Sequence, residues 1–87
     1  MKMIILILKD SGSDAVTQGL TSADYRVTRV ASTGGFLRSG IVTLLLGVDD
    51  DRVDSAIGLI REKLGKASQN EKRATLFVVP VERFEQV

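Results

Sequence analysis

The residues best suited to binding a ligand are concentrated in residues 26–40. Arginines bring positive charge, serines and threonines bring hydroxyl groups, and the Gly34-Gly35 pair lets a ligand approach the main chain closely. Phe36 and Leu37 add an apolar surface to this polar stretch. Cations, donors and one flat apolar contact together suit a phosphate-bearing ligand with an aromatic base. The cations are Arg26, Arg29 and Arg38, and the hydroxyl groups belong to Thr28, Ser32, Thr33 and Ser39.

A plainer interpretation of the same stretch is a β-hairpin connection. Its glycines would then serve the geometry of the turn, and its arginines would face water. The residues themselves leave both interpretations open.

Catalytic chemistry has few residues available to it. The chain contains no histidine and no cysteine, which removes the usual general base near neutral pH, the commonest transition-metal ligands and the thiol nucleophile. The aspartates at 49–51 are compatible with a hard cation, but capping and compensation of a helix dipole explain them more simply. We therefore expect a binding protein rather than an enzyme, without metal or cofactor.

Length and composition are those of one globular domain, residues 1–87. The formal net charge of +1 is too close to neutral for a dedicated nucleic-acid binder, and the third predicted strand lacks the aromatic residues on which RNA bases stack. The apolar run at 4–8 is too short to insert into a membrane and has no signal cleavage site. These features favour a cytoplasmic protein.

The apolar pattern predicts four strands and two helices. Ser11 or Ser13 is the expected N-cap of the first helix, Gly65 is expected to end the second, and Phe84 is expected to anchor the C-terminal tail by packing. Gly47, inside the third strand, indicates a bulge or a close backbone approach. The predicted strands are 3–8, 25–32, 41–48 and 75–81; the helices are 14–23 and the segment opened by residues 49–51 that ends at 64.

The order β-α-β-β-α-β predicts a ferredoxin-like α+β domain, in which a four-stranded antiparallel sheet carries two helices on one face. The first, third and fourth strands are apolar on both faces, yet two helices cover only one. An uncovered apolar face of this size marks an interaction surface. We therefore expect a homo-oligomer that packs these faces together, with a closed ring as the natural symmetry.

Residues 31–40, Ala-Ser-Thr-Gly-Gly-Phe-Leu-Arg-Ser-Gly, resemble the Ala-Thr-Thr-Gly-Gly-Phe-Leu signature of the PII-like cyclic-di-AMP receptors. Residues 47–54, the opening Met-Lys-Met-Ile-Ile and residues 77–81 are similar to that family as well. The resemblance covers residues 1 to about 64 and 74–87. It implies a PII-like homotrimer that binds a nucleotide, cyclic di-AMP in the receptors, between subunits and regulates a partner protein.

The resemblance also implies roles for individual residues. Arg26 and Thr28 would hold phosphate or base edges from the second strand, and Gly47 would allow close approach from the third. In the loop, Phe36 would pack on an adenine. Plainer alternatives are an ion pair for Arg26, a subunit contact for Phe36 and a bulge at Gly47. The full implied ligand-binding set is Arg26, Thr28, Gly35, Phe36, Leu37 and Gly47.

The chain departs from the receptor pattern in three places. Ile41 and Asp24 stand where the receptors typically have asparagines, and the loop between the second helix and the last strand is shortened to 65–73. An alkyl chain cannot replace an amide, and a buried partner left unpaired costs roughly 1–3 kcal/mol. The alternative function is therefore a trimeric protein-interaction module that has lost nucleotide binding.

Overall fold

The central strand of the sheet is β1, Lys2–Lys9, because it pairs antiparallel with both β3, Ile41–Val48, and β4, Ala74–Pro80. A short edge strand, β2 (Thr28–Val30), pairs antiparallel with β3, which completes the order β2-β3-β1-β4. The structure is a computed structural model that describes residues 1–30, 40–65 and 74–87. Within these ranges the helices are α1 (Asp10–Ser22) and α2 (Val53–Leu64), the latter preceded by a 3-10 turn, Asp50–Arg52. The predicted ferredoxin-like α+β fold is confirmed.

The two faces of the sheet differ in what covers them. Ile4, Leu6 and Leu8 point toward the helices and are buried with Val16, Leu20, Ala56 and Ile60 in one core. The alternate side chains of each strand lie on the other face, called here the open face. Cross-strand pairing aligns one residue from every strand along a row on it: Thr28, Leu45, Ile5 and Phe77. Phe77 is 52% exposed, and Ile5 and Leu45 are half-buried, so no helix or strand of the described residues covers this apolar face.

Helix α1 begins at Asp10, four residues before the predicted start. The Asp10 N–H donates to the Gly40 carbonyl oxygen (2.6 Å), and the Asp10 carboxylate pairs with Arg29. These tertiary contacts place a turn-like sequence in a helix. The predicted serine N-cap is wrong: Ser13 lies inside the helix, fully buried, and its hydroxyl donates to the Asp10 carbonyl at 2.8 Å.

Strand β2 begins at Thr28 rather than at residue 25, because the chain first completes the end of α1. The Tyr25 N–H donates to the Leu20 carbonyl (2.9 Å) and the Asp24 N–H to the Thr21 carbonyl (3.0 Å), with Asp24 at a φ of 71°. This is a Schellman motif, and its C″ residue packs on the helix it closes. Tyr25 accordingly belongs to the core rather than to the strand.

Helix α2 has the predicted apolar stripe and ends at Leu64, followed as predicted by Gly65 as the capping residue, which has a φ of 73°. The capping role predicted for the aspartates is wrong, since Asp49 precedes the 3-10 turn without a side-chain capping bond. Asp50 instead pairs with the Met1 ammonium group at 2.9 Å. A hydrogen bond from that ammonium group lowers the pKa of the Asp50 carboxyl. The predictions for residues 31–39 and 66–73 lie outside the described residues.

Neither described helix combines the length and the apolar character needed to cross a membrane.

Candidate functional site

The sheet and the C-terminal segment enclose a cavity of about 840 Å³ at one end of the open face. Met3, Leu45 and Gly47 form its floor on β1 and β3, and Arg26 and Thr28 approach from the β2 side. The segment after β4 forms the remaining wall with Pro80, Val81, Glu82, Arg83, Phe84 and Gln86, and Met1 completes the lining.

Three residues implied by the sequence resemblance, Arg26, Thr28 and Gly47, are brought together here. Thr28 pairs with Leu45 across the ladder. Continuing this antiparallel register by two residues brings Arg26 level with Gly47. The cavity therefore has a cation and a hydroxyl group beside a stretch of backbone that carries no side chain. The other three implied residues, Gly35, Phe36 and Leu37, lie outside the described residues.

Gly47 is part of a regular ladder. It faces Met3 in an uninterrupted register from Lys2–Val48 to Lys9–Ile41, so the bulge is wrong as an explanation of this glycine. A Cβ atom built on Gly47 would lie 3.2 Å from Cε of Met1, tighter than ordinary van der Waals contact. Because Cε is the flexible end of the Met1 side chain, packing within the chain only weakly requires a glycine here, and the bare backbone of Gly47 is accessible from the cavity.

Arg26 is exposed at the cavity, and no acidic residue in the described ranges forms an ion pair with it. The ion-pair alternative thus finds no partner in this part of the chain. Arg29, by contrast, pairs with Asp10 and Asp14 of helix α1. A guanidinium group that has no ion-pair partner among the described residues and lies beside an apolar floor is suited to a phosphate oxygen.

The C-terminal wall was missed by sequence reasoning. Phe84 was predicted to anchor the tail by packing, but it is 65% exposed in the single chain and borders the cavity instead. Arg83 adds a second cation, and its guanidinium group bonds Glu85 (Nε···Oε1 3.0 Å). The directions of the strands could have indicated that the C-terminal segment lies at the cavity. Lys2 pairs with both Val48 and Pro80, so the chain leaves β4 at the same end of the sheet as Gly47.

Two of the departures from the receptor pattern lie away from the cavity. Ile41 is on the open face at the far end of β3 from Gly47, six residues along the strand, or about 20 Å. Asp24 lies just after helix α1, in the capping motif that terminates it. Neither is among the described residues that line the cavity, so neither changes the polar groups of this part of the site.

The arrangement combines an apolar floor with cations at the rim. Met3 and Leu45 supply the floor, while Arg26 and Arg83 supply positive charge. Glu82 is the acidic member of the lining. Apolar surface with a few polar groups is typical of small-molecule sites, and arginine at the rim favours an anionic ligand.

Known proteins resemble this chain in sequence and in fold. The sequence model of the cyclic-di-AMP receptor family matches residues 1–73. Among solved structures, a functionally unknown protein from Pediococcus pentosaceus superposes with a TM-score of 0.76 at 26% sequence identity, over 99% of this chain and 96% of that one. Because the family match extends over most of the chain, including the cavity residues of β1, β2 and β3, the protein belongs to the PII-like cyclic-di-AMP receptor family.

Proposed function

We propose that the protein is a non-enzymatic PII-like signalling protein that binds cyclic di-AMP at clefts between the subunits of a homotrimer and regulates a partner protein. The observation that carries the proposal is the convergence of Arg26, Thr28 and Gly47 on one cavity of the open face. Membership of the receptor family supports the identity of the ligand.

The chemistry of the cavity suits each part of a cyclic dinucleotide. The Arg26 guanidinium group has no ion-pair partner among the described residues and is able to bond two phosphate oxygens at once. The Thr28 hydroxyl group both donates and accepts hydrogen bonds, and Met3 and Leu45 provide apolar contact for a base.

The position of the cavity supports a site between subunits. It opens on the face where no helix or strand of the described residues covers the row from Thr28 to Phe77. Burial of this face against further copies would remove apolar surface from water, at about 25 cal/mol per Å². The same association would place a second subunit next to the cavity, and a bound ligand would then contact both chains.

The composition of the chain and of the cavity supports a binding role rather than catalytic turnover. The chain has no histidine or cysteine, and the groups at the cavity are suited to binding. A bound nucleotide acts on a partner only through a difference in affinity between two conformations of the protein. The partner would therefore contact a surface that differs between the free and the bound protein.

The test is calorimetric titration of the purified protein with cyclic di-AMP, with ATP, AMP and cyclic di-GMP in parallel, together with its mass by light scattering. We expect a trimer that binds about one cyclic di-AMP per chain and prefers it to the other three nucleotides. A trimer that binds none of them would contradict the proposed ligand and favour the alternative, a protein-interaction module without a nucleotide. A monomer would contradict the site between subunits.

A further inference from the structure

The segment that carries Arg26 into the cavity belongs to no strand or helix. Residues 25–27 follow the end of α1 and precede β2, outside both elements. Thr28 is held by its pairing with Leu45, but Arg26 lies beyond that ladder. On one side of Arg26, Val27 packs against the core; on the other side, the position of Arg26 depends on how firmly the chain is held at Tyr25.

Tyr25 is held from two directions. Its N–H donates to the Leu20 carbonyl at 2.9 Å, and its side chain is 7% exposed and packs in the core. The second set of contacts comes from Arg52, in the 3-10 turn before α2. The Arg52 guanidinium carbon lies 4.1 Å from the centroid of the Tyr25 ring, and the Tyr25 hydroxyl group donates to the Arg52 carbonyl at 3.4 Å.

The same guanidinium group also binds the end of α1. Nη2 of Arg52 donates to the Ala23 carbonyl at 3.1 Å, two residues before Tyr25. A planar guanidinium group can lie over an aromatic ring and donate hydrogen bonds from its edge at the same time. The ammonium group of lysine is not planar and cannot make both contacts in this way. Arg52 therefore links the start of α2 to Ala23 and to the Tyr25 ring, which lie three residues and one residue before Arg26.

We propose that Arg52 is a positioning residue of the nucleotide site, which acts on Arg26 through Tyr25. The inference rests on the proposed function, because the position of Arg26 matters to a ligand only if Arg26 binds one. Without the guanidinium group, residues 25–27 would sample more conformations, and ordering them on binding would reduce affinity. Loss of one cation–π contact and one hydrogen bond predicts a reduction of about threefold to tenfold.

The experiment is a double-mutant cycle on cyclic di-AMP affinity, made of the wild-type chain, Arg52→Leu, Arg26→Ala and the double variant, each confirmed to have the same oligomeric mass. We expect Arg52→Leu to weaken binding about threefold to tenfold in the wild-type background and to have almost no further effect beside Arg26→Ala. Arg52→Lys should recover only part of the loss. Ile60→Val, a core change in α2 away from the cavity, controls for lost stability and should leave affinity unchanged.

A second measurement applies if the double variant binds too weakly to titrate. Backbone ¹⁵N relaxation of the free protein should show greater motion at residues 25–27 in Arg52→Leu than in wild type or Ile60→Val. Equal losses of affinity in both backgrounds, a loss in Ile60→Val as large as in Arg52→Leu, or unchanged relaxation would overturn the positioning role. A wild-type trimer that binds no cyclic di-AMP would overturn the proposed function, and the positioning role with it.

Discussion

Arg26 and Arg29 lie three residues apart but serve opposite sides of the sheet. Arg26 lines the cavity of the open face, whereas Arg29 reaches helix α1 and pairs with Asp10 and Asp14. Alternate residues of an extended chain point to opposite faces. Arg26 and Thr28 therefore share the open face, and Arg29, the next residue, points to the helix side. The same short segment thus contains two arginines of equal charge in different environments, one at the cavity and one paired with helix α1.

A comparison of variants at these two arginines gives a controlled test of the phosphate contact. We expect Arg26→Ala to weaken cyclic di-AMP binding by about tenfold or more, since hydrogen bonds to charged groups contribute roughly 1.5–3 kcal/mol. Arg29→Ala should leave affinity within about threefold and lower stability by under about 1 kcal/mol, because its ion pairs are solvent-exposed. Calorimetry and urea unfolding at fixed protein concentration measure the two effects. Equal losses of affinity would show that general positive charge, not contact by Arg26, attracts the ligand.

Gly47 tests the close approach of the ligand to strand β3. We expect Gly47→Ala to weaken cyclic di-AMP binding by about tenfold, because a methyl group in a tight contact costs roughly 1–3 kcal/mol. Met1, whose Cε would lie 3.2 Å from the new Cβ, is a flexible neighbour, so the fold should tolerate the change.

Gly58 is the matched control for this glycine. It lies on the exposed side of α2, and a Cβ built there meets no atom of the described residues within 4 Å. Gly58→Ala should therefore leave affinity unchanged and raise stability by about 0.5–1 kcal/mol, the usual gain in a helix interior. Tight binding by Gly47→Ala would remove Gly47 from the ligand site.

Adjacent residues on β4 test whether the open face holds the oligomer together. Phe77 lies on that face, while Val78 points to the helix side and pairs with Ile4. We expect Phe77→Glu to shift the protein toward monomer, since an unpaired charge in an apolar interface costs several kcal/mol. Val78→Glu adds the same charge to the same strand and should retain the trimeric mass. Light scattering over a range of concentrations distinguishes the two, and an oligomer that persists in Phe77→Glu would exclude the open face as the interface.

The elements predicted well from the sequence are those in which local pattern and burial agree. Strand β3 was predicted at its exact bounds, and the apolar stripe of α2 packs against the core as expected. The fold class followed from the order of these elements. The apolar stripe of α2 and the continuous apolar run of β3 both report burial directly, which is why they identified these elements.

The misses occur where a tertiary contact overrides a local signal. Asp10 starts α1 because Gly40 and Arg29 bind it, and neither contact is visible in the polar sequence that follows. Tyr25 resembles a strand residue, but its N–H completes a helix end. In the site, Arg26, Thr28 and Gly47 followed from the resemblance, whereas Phe84 was assigned to packing because the position of the tail depends on strand direction.

Asp24 offers a test of helix termination that is independent of any ligand. It has a φ of 71° and lies directly after the C-terminal end of α1, so its carboxylate is at the negative end of the helix dipole. Asparagine tolerates the same backbone conformation without the charge. We expect Asp24→Asn to stabilise the protein by about 0.3–1 kcal/mol at neutral pH and low salt, with a smaller gain at high salt.

The control for Asp24→Asn is Asp24→Ala, which also removes the charge but places a residue without a short polar side chain at positive φ. The left-handed conformation costs such a residue roughly 1–2 kcal/mol, so Asp24→Ala should be less stable than Asp24→Asn by about 1 kcal/mol. Urea unfolding of the three proteins at one concentration measures both differences, since the stability of an oligomer depends on protein concentration. If the alanine and asparagine variants are equally stable, the charge alone is responsible and the left-handed backbone at residue 24 contributes nothing measurable.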